Sequence, residues 1–135
     1  MLIKAEQKYI RMSPRKVRLV AQSLRGLPLN AALVALERMN KYAALPVRKT
    51  LSQAIANAVN NHGLKEDTLA LKSIQVGEGA TLKRWQPVSR GRAHSIFKRT
   101  SHIKIVLEST SNPKSQAPNP KQTQISKAQK TKQNV

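Results

Sequence analysis

The sequence predicts an α+β fold: a helical stretch bracketed by strand-like segments, a long basic β-hairpin and a basic, disordered tail. Three observations predict it. Helical apolar spacing occupies residues 13–61, alternating or β-like segments occur at residues 3–11, 69–76 and 103–107, and the composition changes sharply at Ser109.

At the N-terminal end, Ile3, Ala5, Gln7 and Tyr9 alternate and are expected to share one strand face. Ser13-Pro14 then opens a helix, Ser as N-cap and Pro at the first helical position. Gly26 can end it. Val17, Val20, Ala21 and Leu24 form a core stripe. Arg11, Arg15, Arg18, Gln22 and Arg25 form a second stripe nearly opposite. A solvated face normally mixes signs, yet no acid occurs between Gln7 and Glu37. A phosphate-facing side is favoured over a merely solvated one.

A second helix is expected over about 28–39, with Ala32, Leu33, Leu36 and Met39 inward. A third covers about 42–61, with Pro46 in its first turn and Val47, Leu51, Ala54, Ile55, Ala58 and Val59 repeating at helical spacing. His62 fits a helix C-terminus. Glu66-Asp67 reads as a solvated turn.

Between residues 76 and 103 lie about 26 residues without helical period. A structureless loop of that length is suspect in a compact domain. An extended two-stranded ribbon over about 77–102 explains it, with its turn near Ser89-Arg90-Gly91. Each arm would hold about 13 residues and span roughly 40 Å. No acid occurs between Glu78 and Glu108, and Lys83, Arg84, Arg90, Arg92, Lys98 and Arg99 lie in that gap. Such a ribbon has too little apolar material to stand alone. Gly77 and Gly79 suggest a bulge or bend where it leaves the sheet.

Charge sets the function class. The 135 residues carry 25 Lys+Arg against 6 Asp+Glu, a formal net charge of +19. That excess repels itself in a free protein and marks a nucleic-acid binder. Arg90 and Arg92 can pair with phosphates or stack on bases. Trp85 is either an apolar anchor of the core or a group stacking on a base or filling an RNA crevice. Thr100, Ser101 and His102 add short polar groups for phosphate and sugar. RNA fits a ribbon of this kind better than DNA. An architectural DNA-binding protein is the alternative, distinguished by preference for duplex DNA at matched salt.

Catalysis finds no support. There are no cysteines, and His62, His94 and His102 are scattered without metal-ligand spacing. Phosphate-loop and dinucleotide glycine motifs are missing. No cofactor or metal is expected, and no window approaches a membrane span. The start lacks the apolar region of a signal peptide, so the chain is expected to be soluble and intracellular. Residues 109–135 hold five Lys and three Pro with no acid or aromatic, and are expected to be disordered unless bound.

Four strings, YIRMSPRKVRLVAQSLRG (9–26), SQAIANAVNNHG (52–63), VGEGATLKR (76–84) and GRAHSIFKRTSHI (91–103), resemble the bacterial-type large-subunit ribosomal protein twenty-two family. The resemblance covers about residues 2–108. It implies three helices packed on a small three-stranded antiparallel sheet, within a domain of residues 1–108 that includes the hairpin. It implies a structural, non-enzymatic constituent of the large ribosomal subunit that binds and organises large-subunit rRNA during assembly. Its location would be a cytoplasmic ribosome, with a plastid ribosome as the alternative. Neighbouring large-subunit proteins and the nascent polypeptide would be its other partners, without membrane binding or homo-oligomerisation.

By position, Arg11, Arg15, Lys16 and Arg18 match the family's basic helix start. Leu82, Lys83 and Arg84 match the hairpin segment associated with macrolide resistance, and the resemblance implies that they line the exit tunnel together with the tip. Arg90, Gly91, Arg92 and Ala93 match the tip that lines the exit tunnel, and Lys98 to His102 the returning arm. The chain departs from the family at two places: an acid followed by Arg usually comes after the tip's Gly-Arg-Ala, where this chain has His94 and Ser95, and an Asp often stands at Gly77. Both departures make the ribbon more uniformly basic.

Overall fold

The computed structural model describes residues 1–109. Strand β1 (Leu2–Ile10) leads into helices α1 (Pro14–Ser23), α2 (Leu29–Arg38) and α3 (Ala44–His62). A single 3-10 turn, Glu66–Thr68, precedes β2 (Leu69–Glu78), β3 (Leu82–Pro87), β4 (Ala93–Lys98) and β5 (Ser101–Ser109). The basic tail expected beyond Ser109 lies outside the described residues.

The main sheet has the order β1-β5-β2, antiparallel throughout. The last strand is therefore its centre. Ile103, Ile105 and Leu107 alternate along β5 and are fully buried under the helices. α3 packs across β1 and β5, α1 packs on β2, and α2 packs on α3. Val17, Val20, Ala21 and Leu24 of the α1 region all enter the core, as their spacing requires. Burying one Leu or Ile side chain contributes about 1.5–3 kcal/mol, so this aliphatic core is what stabilises the body.

Helix ends follow local chemistry. Ser13 is extended and Pro14 begins α1, where proline's missing N–H is no loss. Pro46 lies in the first turn of α3 for the same reason. Buried Thr50 is satisfied inside α3: its hydroxyl lies 2.9 Å from the Pro46 carbonyl and 3.0 Å from Gln7 Oε1.

Three local expectations change. Tyr9 does not continue the buried face of β1: the β1–β5 register shifts between Gln7 and Ile10, and Tyr9 takes φ 55° and turns outward. Val59 is 37% exposed although it fits the α3 period. The third change is the ribbon, whose arms are not one continuous run of 13 residues. The β2–β5 ladder ends at Glu78↔Ser101, and a separate two-stranded sheet begins at Leu82↔Lys98. Six residues per arm span roughly 20 Å at strand rise.

The neck between the two ladders is built around Gly79. Its N–H donates to the Thr100 carbonyl at 3.0 Å. The Thr100 hydroxyl donates to the Ala80 carbonyl at 2.7 Å. A Cβ on Gly79 would collide with Thr100 Oγ1 and press on the His102 ring. Gly77 meets only ordinary contact at its Cβ position, so the bend rests on Gly79 alone.

Candidate nucleic-acid interface

The kinked neck leaves a wide groove of about 1030 Å³ between the body and the hairpin base. The start of α1 supplies Arg11, Met12, Ser13, Lys16 and Leu19. The α2–α3 connection supplies Lys41, Tyr42 and Ala43. The hairpin supplies Leu82, Arg84, Phe97, Lys98, Arg99 and Thr100. Six lining residues are cations and none is an acid.

Three of the six acids are held in ion pairs elsewhere. Among the described residues, Glu78 pairs with Arg18 at 3.4 Å, Glu37 with Arg48 at 3.2 Å and Glu108 with Lys72 at 3.2 Å. All three pairs are solvent-exposed, so each stabilises the fold by at most about 1 kcal/mol. Their larger effect is on where positive charge remains. The groove keeps its cations uncompensated, and low-dielectric walls on both sides focus their field.

The basic stripe of α1 is divided by the fold. Arg11 and Lys16 enter the groove. Arg18 and Arg25 instead line a smaller recess against β2, with Gln22, Ile74, Gln75 and Val76. Arg18 also reaches the Val76 carbonyl at 3.5 Å, so Glu78 supplies the acid that the local sequence around α1 lacks. Arg15 is exposed and lines neither site.

The hairpin separates the remaining cations. Leu82, Arg84 and Lys98 line the groove, while Lys83 and Trp85 lie outside it. Trp85 is 68% exposed, which rules out the core-anchor role. At the tip, Arg90 and Gly91 take φ 58° and 63°. Two consecutive left-handed residues make a type I′ reversal, the turn whose twist matches an antiparallel ribbon. Val88 N–H bonds the Arg92 carbonyl at 2.8 Å across it. Arg90 and Arg92 are exposed there, six residues along the ribbon from the groove residues Arg84 and Lys98 respectively.

Two expected contact residues are corrected. Thr100 is 7% exposed and spends its only hydroxyl proton on Ala80. Ser101 is completely buried, and its hydroxyl has no partner. Ser101 is not presented to a phosphate, and Thr100 borders the groove with its hydroxyl proton already committed. Both hold the neck, because β5 brings them under the strand junction. His102 is half-buried: its Nδ1 accepts the Tyr9 N–H at 3.0 Å, and its ring meets Tyr9 edge-on at 4.8 Å.

The structure adds residues that local sequence did not flag. Lys41 and Tyr42 join the groove from a connection with no motif of its own, and Tyr42 is 81% exposed. An aromatic beside a lysine, outside the apolar period of both neighbouring helices, was the available signal. Phe97 also borders the groove, with the Arg99 guanidinium 5.8 Å from its ring centre. No set of three or more metal-ligating side chains converges among the described residues.

Known proteins place this architecture. Residues 5–108 match the family model described as Ribosomal protein L22p/L17e. The chain is 52% identical over 104 residues to large ribosomal subunit protein uL22 of Mycoplasma capricolum, covering 77% of this chain and 94% of that protein. It is 53% identical over 104 residues to uL22 of Mesoplasma florum, covering 77% and 93%. Identity to uL22 of Thermus thermophilus is 52% over 104 residues, covering 77% and 92%. The chain therefore belongs to the bacterial-type uL22 family, structural constituents of the large ribosomal subunit rather than enzymes.

Proposed function

We propose that the chain organises large-subunit rRNA by seating phosphate backbone in the groove between body and hairpin. The observation that carries this reading is the set of six groove cations without an acid. Phosphates neutralise them and release counterions, a gain that requires no particular base sequence. The bound strand also fills the space beside the hairpin, which the body leaves uncovered. Arg11 and Lys16 grip from the helix side, Lys41 from the loop, and Arg84, Lys98 and Arg99 from the ribbon. RNA segments distant in sequence are thereby held together, the work of an assembly protein. Neighbouring large-subunit proteins complete its surroundings.

The tip extends this role. Arg90, Gly91, Arg92 and Ala93 stand at the far end of a ribbon whose base is held in RNA. This geometry supports a tip that reaches the polypeptide exit tunnel and meets the nascent chain there. Leu82, Lys83 and Arg84 lie at the hairpin base instead, so they act on the tunnel by setting the ribbon's direction.

Sedimentation with large subunits after a high-salt wash tests the assembly role: the chain is expected to remain with the particles, and its loss into the supernatant overturns the reading. Preference for duplex DNA over rRNA fragments at matched salt would favour an architectural DNA-binding role instead. For the tip, ribosomes lacking residues 82–84 are expected to show altered macrolide sensitivity, and an unchanged response overturns the tunnel assignment.

A further inference from the structure

The chain has four aromatic residues: one Trp, two Tyr and one Phe. All four are exposed, and the core contains none. Aromatic rings normally supply much of the burial in a core of this size. Here the body is packed with aliphatic side chains, and every ring is left on the surface.

Two of the rings share a ribbon face. In the β3–β4 ladder Lys83 is opposite Phe97, and Trp85 is opposite Ser95. Residues opposite each other, and residues two apart, project to the same side. Trp85 and Phe97 are therefore diagonal neighbours, about 7–8 Å apart by strand geometry. Ser95, and Ala93 beyond it, are small, so the Trp85 ring is not covered from across the ribbon. Phe97 is 49% exposed. Lys83 on the same face and Arg99 over the Phe97 ring add positive charge beside both rings.

We infer that this face, Lys83, Trp85 and Phe97, is a stacking platform for unpaired RNA bases. The inference rests on the rRNA reading above and assigns a different kind of contact to the ribbon face that carries Trp85, whose base end, at Phe97 and Arg99, borders the groove. The groove face takes backbone by charge. The aromatic face takes bases by their flat surfaces, while Lys83 and Arg99 meet the adjoining phosphates. Stacking on such rings needs an unstacked base and is tolerant of its identity. Duplex RNA, whose bases are already stacked on each other, cannot use it. With no acid anywhere between Glu78 and Glu108, the face suits a polyanion rather than a protein partner.

Trp85 is the sole tryptophan, so its emission reports on this face directly. The full chain is titrated with an RNA hairpin bearing an unpaired loop, with a duplex of equal phosphate count, and with the same hairpin carrying abasic loop sites. Quenching is expected with the unpaired loop and not with the other two. Trp85→Ala is expected to weaken loop binding about tenfold with an unchanged salt slope. Phe97→Ala is expected to weaken it less while reducing the quenching of a 2-aminopurine placed in the loop. Equal quenching by the abasic loop, or Trp85→Ala within twofold of the parent, overturns the platform and leaves the groove reading standing. Failure to bind any of the three RNAs overturns both.

Discussion

The body and the hairpin are both antiparallel sheet, yet they differ in what keeps them folded. In the body, β5 is paired on both sides and its Ile103, Ile105 and Leu107 are fully buried. In the hairpin, every residue of β3 and β4 is exposed. Backbone hydrogen bonds exchange for bonds to water at small net gain, whereas apolar burial does not. The difference teaches that the same ladder is a scaffold in one place and a dependent limb in the other. Under the proposed rRNA-binding role, the hairpin acquires its apolar and ionic partners only when RNA surrounds it.

Paired substitutions break this comparison most directly. Ile105→Ala is expected to cost about 2–5 kcal/mol in urea unfolding of the free protein. Ile96→Ala in the hairpin is expected to change the same measurement by less than about 0.5 kcal/mol. Equal losses would show that the hairpin contributes to the free fold. The groove comes next. Replacing Lys16, Lys41 and Lys98 together with Gln is expected to weaken rRNA binding about a hundredfold at low salt and to lower the salt slope by about 2–3. Filter binding across a salt series measures both, and unfolding of the same variant should stay near the parent.

The neck joins the two regions, so its effect is intermediate. Gly79→Ala is expected to cost about 1–3 kcal/mol, because the Thr100 hydroxyl, bonded to the Ala80 carbonyl, and the His102 ring would both have to yield to a new methyl group. Thermal unfolding reads this loss, and unchanged stability would show a neck that adjusts freely. The smallest effect belongs to the tip. Arg90→Asn places a residue tolerant of left-handed backbone where φ is already 58°. Protection of the Val88 amide against hydrogen exchange is expected to rise by a few tenths of a kcal/mol, with the body's amides unaffected.

The same contrast explains which parts of the molecule the sequence reveals. α1 is legible because Val17, Val20, Ala21 and Leu24 mark one face by period, and Ser13-Pro14 marks its start. The hairpin turn is legible because Gly91 suits a left-handed position within a basic run. Period and turn chemistry are local signals. The groove is not local. Lys41 and Tyr42 reach it only because α2 folds back on α3, and Arg18 meets Glu78 across 60 residues. Thr100 and Ser101 look like surface donors in one dimension, and only the junction of two sheets buries them. The single interruption of the ribbon at Gly79 depends on side chains about 20 residues away, which no window along the chain contains.

The strand order has a consequence for the chain's own synthesis. β5 is made last but stands between β1 and β2. Until it emerges, β1 and β2 have no shared neighbour, and α1 and α3 lack the central surface on which they close. α1 and α3 must therefore wait, unsealed, for the final nine described residues. When β5 arrives it joins the two outer strands and pins both feet of the hairpin in the same event. Folding of the body and aiming of the limb are thus one cooperative step, delayed until the domain's last strand has left the ribosome that made it.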